Sequence, residues 1–189
     1  MMIAVTALET DADLLRRTLA GDTNAFGALF ERHAPAVLRF CFRRTGNATV
    51  AEDLTSIVFL EAWRRRDRTV FFGGSARPWL FGVALNVLRS QSRAERRHRD
   101  ALARLPSDEG PEPESEAAIA RLDAEREMRA VLKAVEKLGR REREVLELCV
   151  WEDLSTEEAA LALGISPGAV RSRLSRARRR LPLLEGMTV

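Results

Sequence analysis

The stretch Ser155 to Leu181, STEEAALALGISPGAVRSRLSRARRRL, decides how this chain is read. Ser155-Thr156-Glu157-Glu158 has the form of a capping box, in which the serine hydroxyl and a glutamate three residues on satisfy each other's backbone N–H groups. The helix it starts is expected to stop at Leu163-Gly164, because glycine enters the left-handed conformation at little cost. Ile165 fills the corner. Ser166-Pro167 opens a second helix, serine as cap and proline in the first helical position. Two capped helices joined by a short turn at a glycine make a helix-turn-helix. On the second helix Val170, Leu174, Ala177 and Leu181 recur at four, three and four residues, one apolar stripe. Arg171, Ser172, Ser175, Arg176 and Arg179 fall on other faces, with Arg173, Arg178 and Arg180 flanking. A helix buried on one side and arginine-rich on the other fits the DNA major groove. Its first turn, at Ser166, suits a backbone phosphate. A solvated basic helix closing a small bundle is the plainer reading of an arginine run. The double cap, the glycine turn and the clean stripe together favour the DNA reading.

Upstream, strand signals are weak and apolar residues recur at helical spacing, so the fold class expected is all-α. A first helix is predicted over Asp11 to Ala20 around Leu14, Leu15 and Leu19. A second covers Asn24 to Arg44 and carries Phe26, Leu29, Phe30, Val37, Leu38, Cys41 and Phe42, with Pro35 expected to bend or break it. A third runs from Val50 to Arg66 and is expected to bury Leu54, Ile57, Val58, Leu60 and Ala62 or a close subset of them, with Trp63 in the core. Phe71 to Gly74 breaks the pattern, and a fourth helix begins near Arg77-Pro78 and reaches Arg99. From Leu105 to Ala118 there are three prolines, a glycine and five acidic residues with no basic one, an extended acidic linker. Helices at Ile119 to Leu138 and Arg140 to Trp151 complete the second half. The organisation expected is therefore a flexible terminus over 1–10, a helical domain over 11–99, an acidic linker over 100–118, a helix-turn-helix domain over 119–184 and a tail over 185–189.

The 189 residues carry a net charge of +3 although the sequence pI is about 9.5. Only Lys133 and Lys137 are lysines. Arginine suits bidentate contact with phosphate and guanine, although the arginine total also follows from GC-rich coding. Cys41 and Cys149 stand far apart, in neither metal nor redox spacing, as buried thiols of a reducing compartment do. His33 and His98 are isolated, His33 being expected on a helix surface, and no cysteine–histidine cluster is present. No enzyme, metal or cofactor is expected. Residues 1–10 lack a signal-peptide pattern and no stretch suits a membrane span, so a cytoplasmic location without membrane insertion is expected.

Several segments resemble the extracytoplasmic-function group of bacterial RNA polymerase sigma factors. Leu138-Gly139-Arg140-Arg141-Glu142-Arg143-Glu144-Val145-Leu146 looks like the opening of that family's sigma-4 domain, and Leu163 to Arg178 is similar to its recognition helix, with Ala169 where threonine is usual. Ala51-Glu52-Asp53-Leu54-Thr55 and Val58-Phe59-Leu60-Glu61-Ala62-Trp63 resemble the sigma-2 helix that docks on the β′ clamp, with Ser56-Ile57 in place of the common Gln-Glu. Arg77-Pro78-Trp79-Leu80-Phe81 and Asn86 resemble the helix that opens the minus-ten element; Leu85 stands where arginine is frequent. The resemblance spans Asp11 to Leu184. It implies a non-enzymatic initiation factor whose partners are core RNA polymerase (β and β′ subunits), promoter DNA and an anti-sigma factor. It implies polymerase docking by Asp53, Ser56, Phe59 and Leu60, and minus-ten contacts by Phe71, Phe72, Ser75, Asn86, Arg89 and Arg93. For the minus-thirty-five element it implies Ser166, Arg171, Ser172, Arg173, Ser175 and Arg176. A stand-alone helix-turn-helix regulator would account for the second half, but not for the docking helix or the basic fourth helix.

Overall fold

The computed structural model describes residues 9–69, 72–102, 135 and 137–181. Every regular element among them is helical. Helix α1, Asp11–Leu19, starts at a capping box between Thr10 and Asp13. Helix α2, Thr23–Thr45, is capped by Asp22, whose carboxylate accepts from the Asn24 and Ala25 amides, and it ends at Gly46 in the left-handed region. Asn47 caps α3, Ala48–Arg65. Two 3-10 turns, Arg66–Arg68 and Phe72–Gly74, precede α4, Arg77–Leu102. In the second half α5, Arg140–Leu146, runs on into a π-helical turn, Glu147–Trp151. Helices α6, Thr156–Leu163, and α7, Pro167–Arg180, follow. The acidic linker from residue 103 onward and the helix expected from Ile119 lie outside the described residues, apart from Val135, Lys137 and Leu138 at the end of that helix; residues 100–102, expected in the linker, continue α4.

Three expectations need correction. First, α2 continues through Pro35 rather than breaking there. An interior proline costs a helix about 3 kcal/mol. Leu29 before it and Val37, Phe40 and Cys41 after it are all buried, and burying such side chains offsets about 1.5–3 kcal/mol each. Second, α3 buries only part of the expected set, together with Phe59. Leu54, Val58, Phe59 and Ala62 are buried, whereas Ile57 and Leu60 are 44% and 48% exposed. Third, His33 is buried, with its Nε2 2.8 Å from Asp11 Oδ2. Trp63 is half-buried, its ring edge-on to Phe26 at 5.1 Å.

The two halves pack on each other. Leu14, Phe40, Val58 and Phe81 share one apolar cluster with Val145, Leu148, Leu154, Ala159 and Val170. Helix α4 lies along α6. Gly82 makes this approach possible: a Cβ there would stand 2.8 Å from the Ala162 carbonyl oxygen. Around that seam arginines of the first half meet buried glutamates of the second. Arg89 grips Glu144 through two bonds, Nε to Oε1 at 2.8 Å and Nη2 to Oε2 at 2.6 Å. Arg44 Nε donates to Glu147 Oε2 at 2.7 Å, Arg43 pairs with Glu152, and Arg77 donates to the Glu152 carbonyl. Replacing such pairs by apolar groups is often neutral, but removing one partner leaves a buried charge and costs about 3–5 kcal/mol. The seam is therefore specific in register. A smaller cluster of Val135, Leu138, Leu146, Ala177 and Leu181 holds α7 against α5.

Candidate nucleic-acid and polymerase interfaces

The turn between α6 and α7 is built from its caps. Ser155 Oγ accepts from the Glu158 amide at 3.2 Å, and Glu158 Oε2 accepts from the Ser155 amide at 2.9 Å. Gly164 takes φ 64°, which lets the Ile165 amide reach the Ala160 carbonyl at 3.0 Å. Ser166 Oγ then accepts from the Ala169 amide at 3.2 Å, with Pro167 in the first helical position. With Val170, Ala177 and Leu181 buried and Leu174 half-buried, rotation about α7 puts Arg171, Ser172, Ser175 and Arg176 in solvent. Ser166 is also exposed, and Arg173 is half-buried. Carboxylates tether this helix through partly exposed pairs: Arg171 lies 3.9 Å from the exposed Glu157, Arg176 lies 3.7 Å from the half-buried Glu142, and Arg180 donates to Glu142 at 3.1 Å. Such surface pairs contribute about 0–1 kcal/mol, so the guanidiniums remain available to a stronger anion.

On α3, Asp53, Ser56 and Leu60 face solvent together with Ile57. Phe59, expected among them, packs inward with its ring 4.7 Å from that of Phe30 and 6.4 Å from that of Phe26. It lies behind that exposed face. Ile57 is expected in the core and Leu60 on either face because both sides of α3 carry apolar residues, and spacing alone does not say which side turns inward.

Of the residues expected at the minus-ten element, Asn86 and Arg93 are exposed and Ser75 and Arg89 are half-buried. Phe71 lies outside the described residues, as does the side chain of Phe72. Gly73 and Gly74 both adopt positive φ, 60° and 77°, conformations open to glycine and strained for other side chains. Ser75 Oγ accepts from the Arg77 amide at 3.2 Å. Asn86 and Arg93 line a groove of about 560 Å³ between α3 and α4, which also borders Ile57, Glu61 and Arg65. Asn86 Oδ1 accepts from Arg89 Nη1 at 3.2 Å. Arg89 is not free here: Glu144 holds its guanidinium, and that pairing raises its pKa.

One buried polar cluster was not seen in the sequence. Asp11 accepts from Arg32 Nη1 at 2.6 Å and from the Ala76 amide at 2.7 Å, and its Oδ2 lies 2.8 Å from His33 Nε2. Burial works to raise its pKa. The His33 and Ala76 hydrogen bonds, the His33 charge and Arg32 outweigh that and bring it down to about 2. The partners lie 21 to 65 residues away, and the signal missed was a carboxylate at the first position of an amphipathic helix beside a lone histidine on the next. Burial pushes both the Cys41 and the Cys149 thiols up to about 11, out of the range of reactive thiolates. Among the described residues no group of histidine, cysteine and carboxylate side chains is arranged to hold a metal, and no helix is long and apolar enough to cross a membrane.

A capped helix-turn-helix presenting arginines, joined to a helical module with an exposed apolar helix face and a basic edge, defines a DNA-binding transcription factor of two modules. Residues 29–98 match the sigma-70 region 2 family and residues 128–181 match the sigma-70 region 4 family. The RNA polymerase sigma factor NccH of Alcaligenes xylosoxydans xylosoxydans is 34% identical over 184 residues, covering 92% of this chain and 94% of NccH. The sigma factor CarQ of Myxococcus xanthus is 36% identical over 177 residues, covering 91% and 95%. The ECF sigma factor BldN of Streptomyces coelicolor is 30% identical over 182 residues, and the match spans 91% of this chain but 64% of BldN. Among solved structures, CnrH in complex with the cytosolic domain of CnrY superposes with a TM-score of 0.66 at 28% identity, over 93% of this chain and 97% of that one. RpoE in complex with the anti-sigma factor NepR, from Bartonella quintana, superposes with a TM-score of 0.61 at 27% identity, over 86% and 98%. The chain belongs to the extracytoplasmic-function group of the sigma-70 family of RNA polymerase sigma factors. It is an alternative sigma factor, of the class that directs promoter recognition, and the stand-alone regulator is set aside.

Proposed function

We propose that the chain divides its work among three surfaces. The α7 face of Arg171, Ser172, Ser175 and Arg176, flanked by Ser166 and Arg173, enters the major groove of the minus-thirty-five element. The loop of Phe71, Phe72 and Ser75, with Asn86, Arg89 and Arg93 on α4, takes the minus-ten strand. Asp53, Ser56 and Leu60, joined by Ile57, dock on β′ of core polymerase. The observation that carries this reading is the α7 helix, sealed to the core through Val170 and Ala177 while its arginine face is open to solvent. The polymerase performs the chemistry, and the chain itself catalyses no step. It acts in the cytoplasm. The modules divide as 11–99 and 119–184 about the acidic segment 100–118. CnrH and RpoE were solved with CnrY and with the anti-sigma factor NepR, and an inhibitor of the same kind is the expected regulator here.

This function requires the seam between the halves to open. The two promoter elements lie about 25 base pairs apart, roughly 85 Å at about 3.4 Å per base pair. Helix α4 is in direct contact with α6, so one closed molecule cannot reach both elements. Opening releases Arg89 from Glu144 and hands it to the minus-ten strand. Run-off transcription with core polymerase on a promoter library tests the proposal. Transcripts dependent on this chain are expected, and none above core alone would end it.

A further inference from the structure

We infer that Asp11 is a positioning residue for the minus-ten loop, acting through α1 as a brace across both stems of that loop. The inference rests on the proposed role of the loop in taking an extruded base. Among the described residues of the loop, Gly73 and Gly74 both take left-handed φ, and a Cβ at either would meet nothing within 4 Å. Two contacts hold the stems on either side. Downstream, the fully buried Ala76 follows the loop and starts α4, its carbonyl accepting from the Leu80 amide at 2.9 Å. Its own amide has no partner in α4 and donates to Asp11 Oδ2 at 2.7 Å. Upstream, the 3-10 turn Arg66–Arg68 packs on α1. The same helix thus touches both stems.

Asp11 is in turn fixed from two sides. The Thr10–Asp13 capping box sets the start of α1. On α2, Arg32 and His33 hold both carboxylate oxygens, at 2.6 and 2.8 Å. A carboxylate takes these donors at once because its two oxygens offer about four acceptor sites, and charge-assisted bonds of this kind are the short, strong ones. The arrangement ties the first turn of α4, and with it the placement of Ser75 and Asn86, to the core of α2. Extruding a base costs a few kcal/mol that the receiving pocket must return, and a pocket formed by a glycine loop returns it only if the stems do not drift.

The test uses holoenzyme assembled with the full chain, and measures affinity for a fork-junction DNA carrying the minus-ten single strand. The extrudable base is either intact or replaced by an abasic site. Wild type should prefer the intact base. Asp11→Ala is expected to cut that preference about tenfold or more, the loss matching one charge-assisted hydrogen bond. Affinity for a duplex holding only the minus-thirty-five element should stay within about twofold. Asp11→Asn keeps one acceptor for the Ala76 amide and should fall about threefold. If Asp11→Ala fails to fold, the Asp11→Asn ratio decides alone. An unchanged preference, or equal losses on intact, abasic and minus-thirty-five DNA, overturns the positioning role. A wild type indifferent to the abasic site overturns the base-capture reading, and the positioning role with it, and is told apart by appearing without any substitution.

Discussion

The substitution Gly82→Ala should open the molecule. A methyl at this position meets the Ala162 carbonyl oxygen at 2.8 Å and the Ala162 Cα at 3.3 Å. Both are backbone atoms, so no side chain can swing aside and α6 must retreat from α4. Overpacking of this kind costs about 1–3 kcal/mol. Alanine also strengthens the helix by about 1 kcal/mol relative to glycine. That gain is the same open or closed, because α4 is helical in both, so it drops out of the balance between them. The closed-to-open ratio should therefore fall by about fivefold to more than a hundredfold. Fluorescence transfer between dyes on cysteines introduced at exposed Glu31 and Arg179 reads the distance between the halves. Cys149 is only half-buried and packs against the cluster that opening would part, so it is replaced by alanine in the labelled chain; Cys41 is buried in the core. The variant is expected to lose transfer, and to bind promoter DNA in holoenzyme more readily because less of the chain starts in the incompetent form. Unchanged transfer with raised thermal stability would mean that the carbonyl yields at no cost, refuting the argument that Gly82 controls the seam.

Other outcomes follow from the remaining surfaces. Arg176→Ala or Arg171→Ala should weaken minus-thirty-five binding by about 1–3 kcal/mol and relax the preference at one base pair; binding that weakens equally on all sequences would demote that arginine to a phosphate contact. Leu60→Asp, on a side chain 48% exposed, should abolish co-purification with core polymerase while the circular dichroism spectrum stays unchanged. Phe59→Ala, on the adjacent buried ring, should instead lower unfolding stability by about 3–5 kcal/mol. Asp11 titrates at about 2 when folded, below its ordinary 3.8. Its contribution is complete above about pH 4 and is lost as pH falls toward 2, a loss of about 2 kcal/mol. The stability gap between wild type and Asp11→Asn in urea unfolding should shrink by that amount between pH 5 and pH 2, and a gap independent of pH would contradict it.

What was legible in the sequence was local. The caps at Ser155 and Ser166 and the turn at Gly164 involve partners at most a few residues apart, and they fixed α6, α7 and the arginine face. Phe59 and Ile57 were exchanged, and Leu60 was expected on both faces, because α3 carries apolar residues on two sides and periodicity does not say which side turns inward. His33 and the interdomain seam were illegible for a different reason. The bonds Arg89–Glu144 and Arg43–Glu152 join residues 55 and 109 apart, and no spacing rule reaches that far. Gly82 alone did not announce the seam: a glycine inside a helix costs about 1 kcal/mol, but Gly27, also inside a helix, meets nothing within 4 Å.

The glutamates that hold Arg43, Arg44 and Arg89 alter how promoter binding responds to electrolyte. DNA gives up condensed cations as arginines neutralise its phosphates, so affinity falls as salt rises, with a slope of about −0.9 per contact. Parting the buried pairs exposes separated opposite charges, which mobile ions screen. That step becomes easier as salt rises and pulls in the other direction. The measured slope is the sum of the two, so it undercounts the phosphates actually touched, and a variant already opened at Gly82 should show the steeper, undiluted dependence.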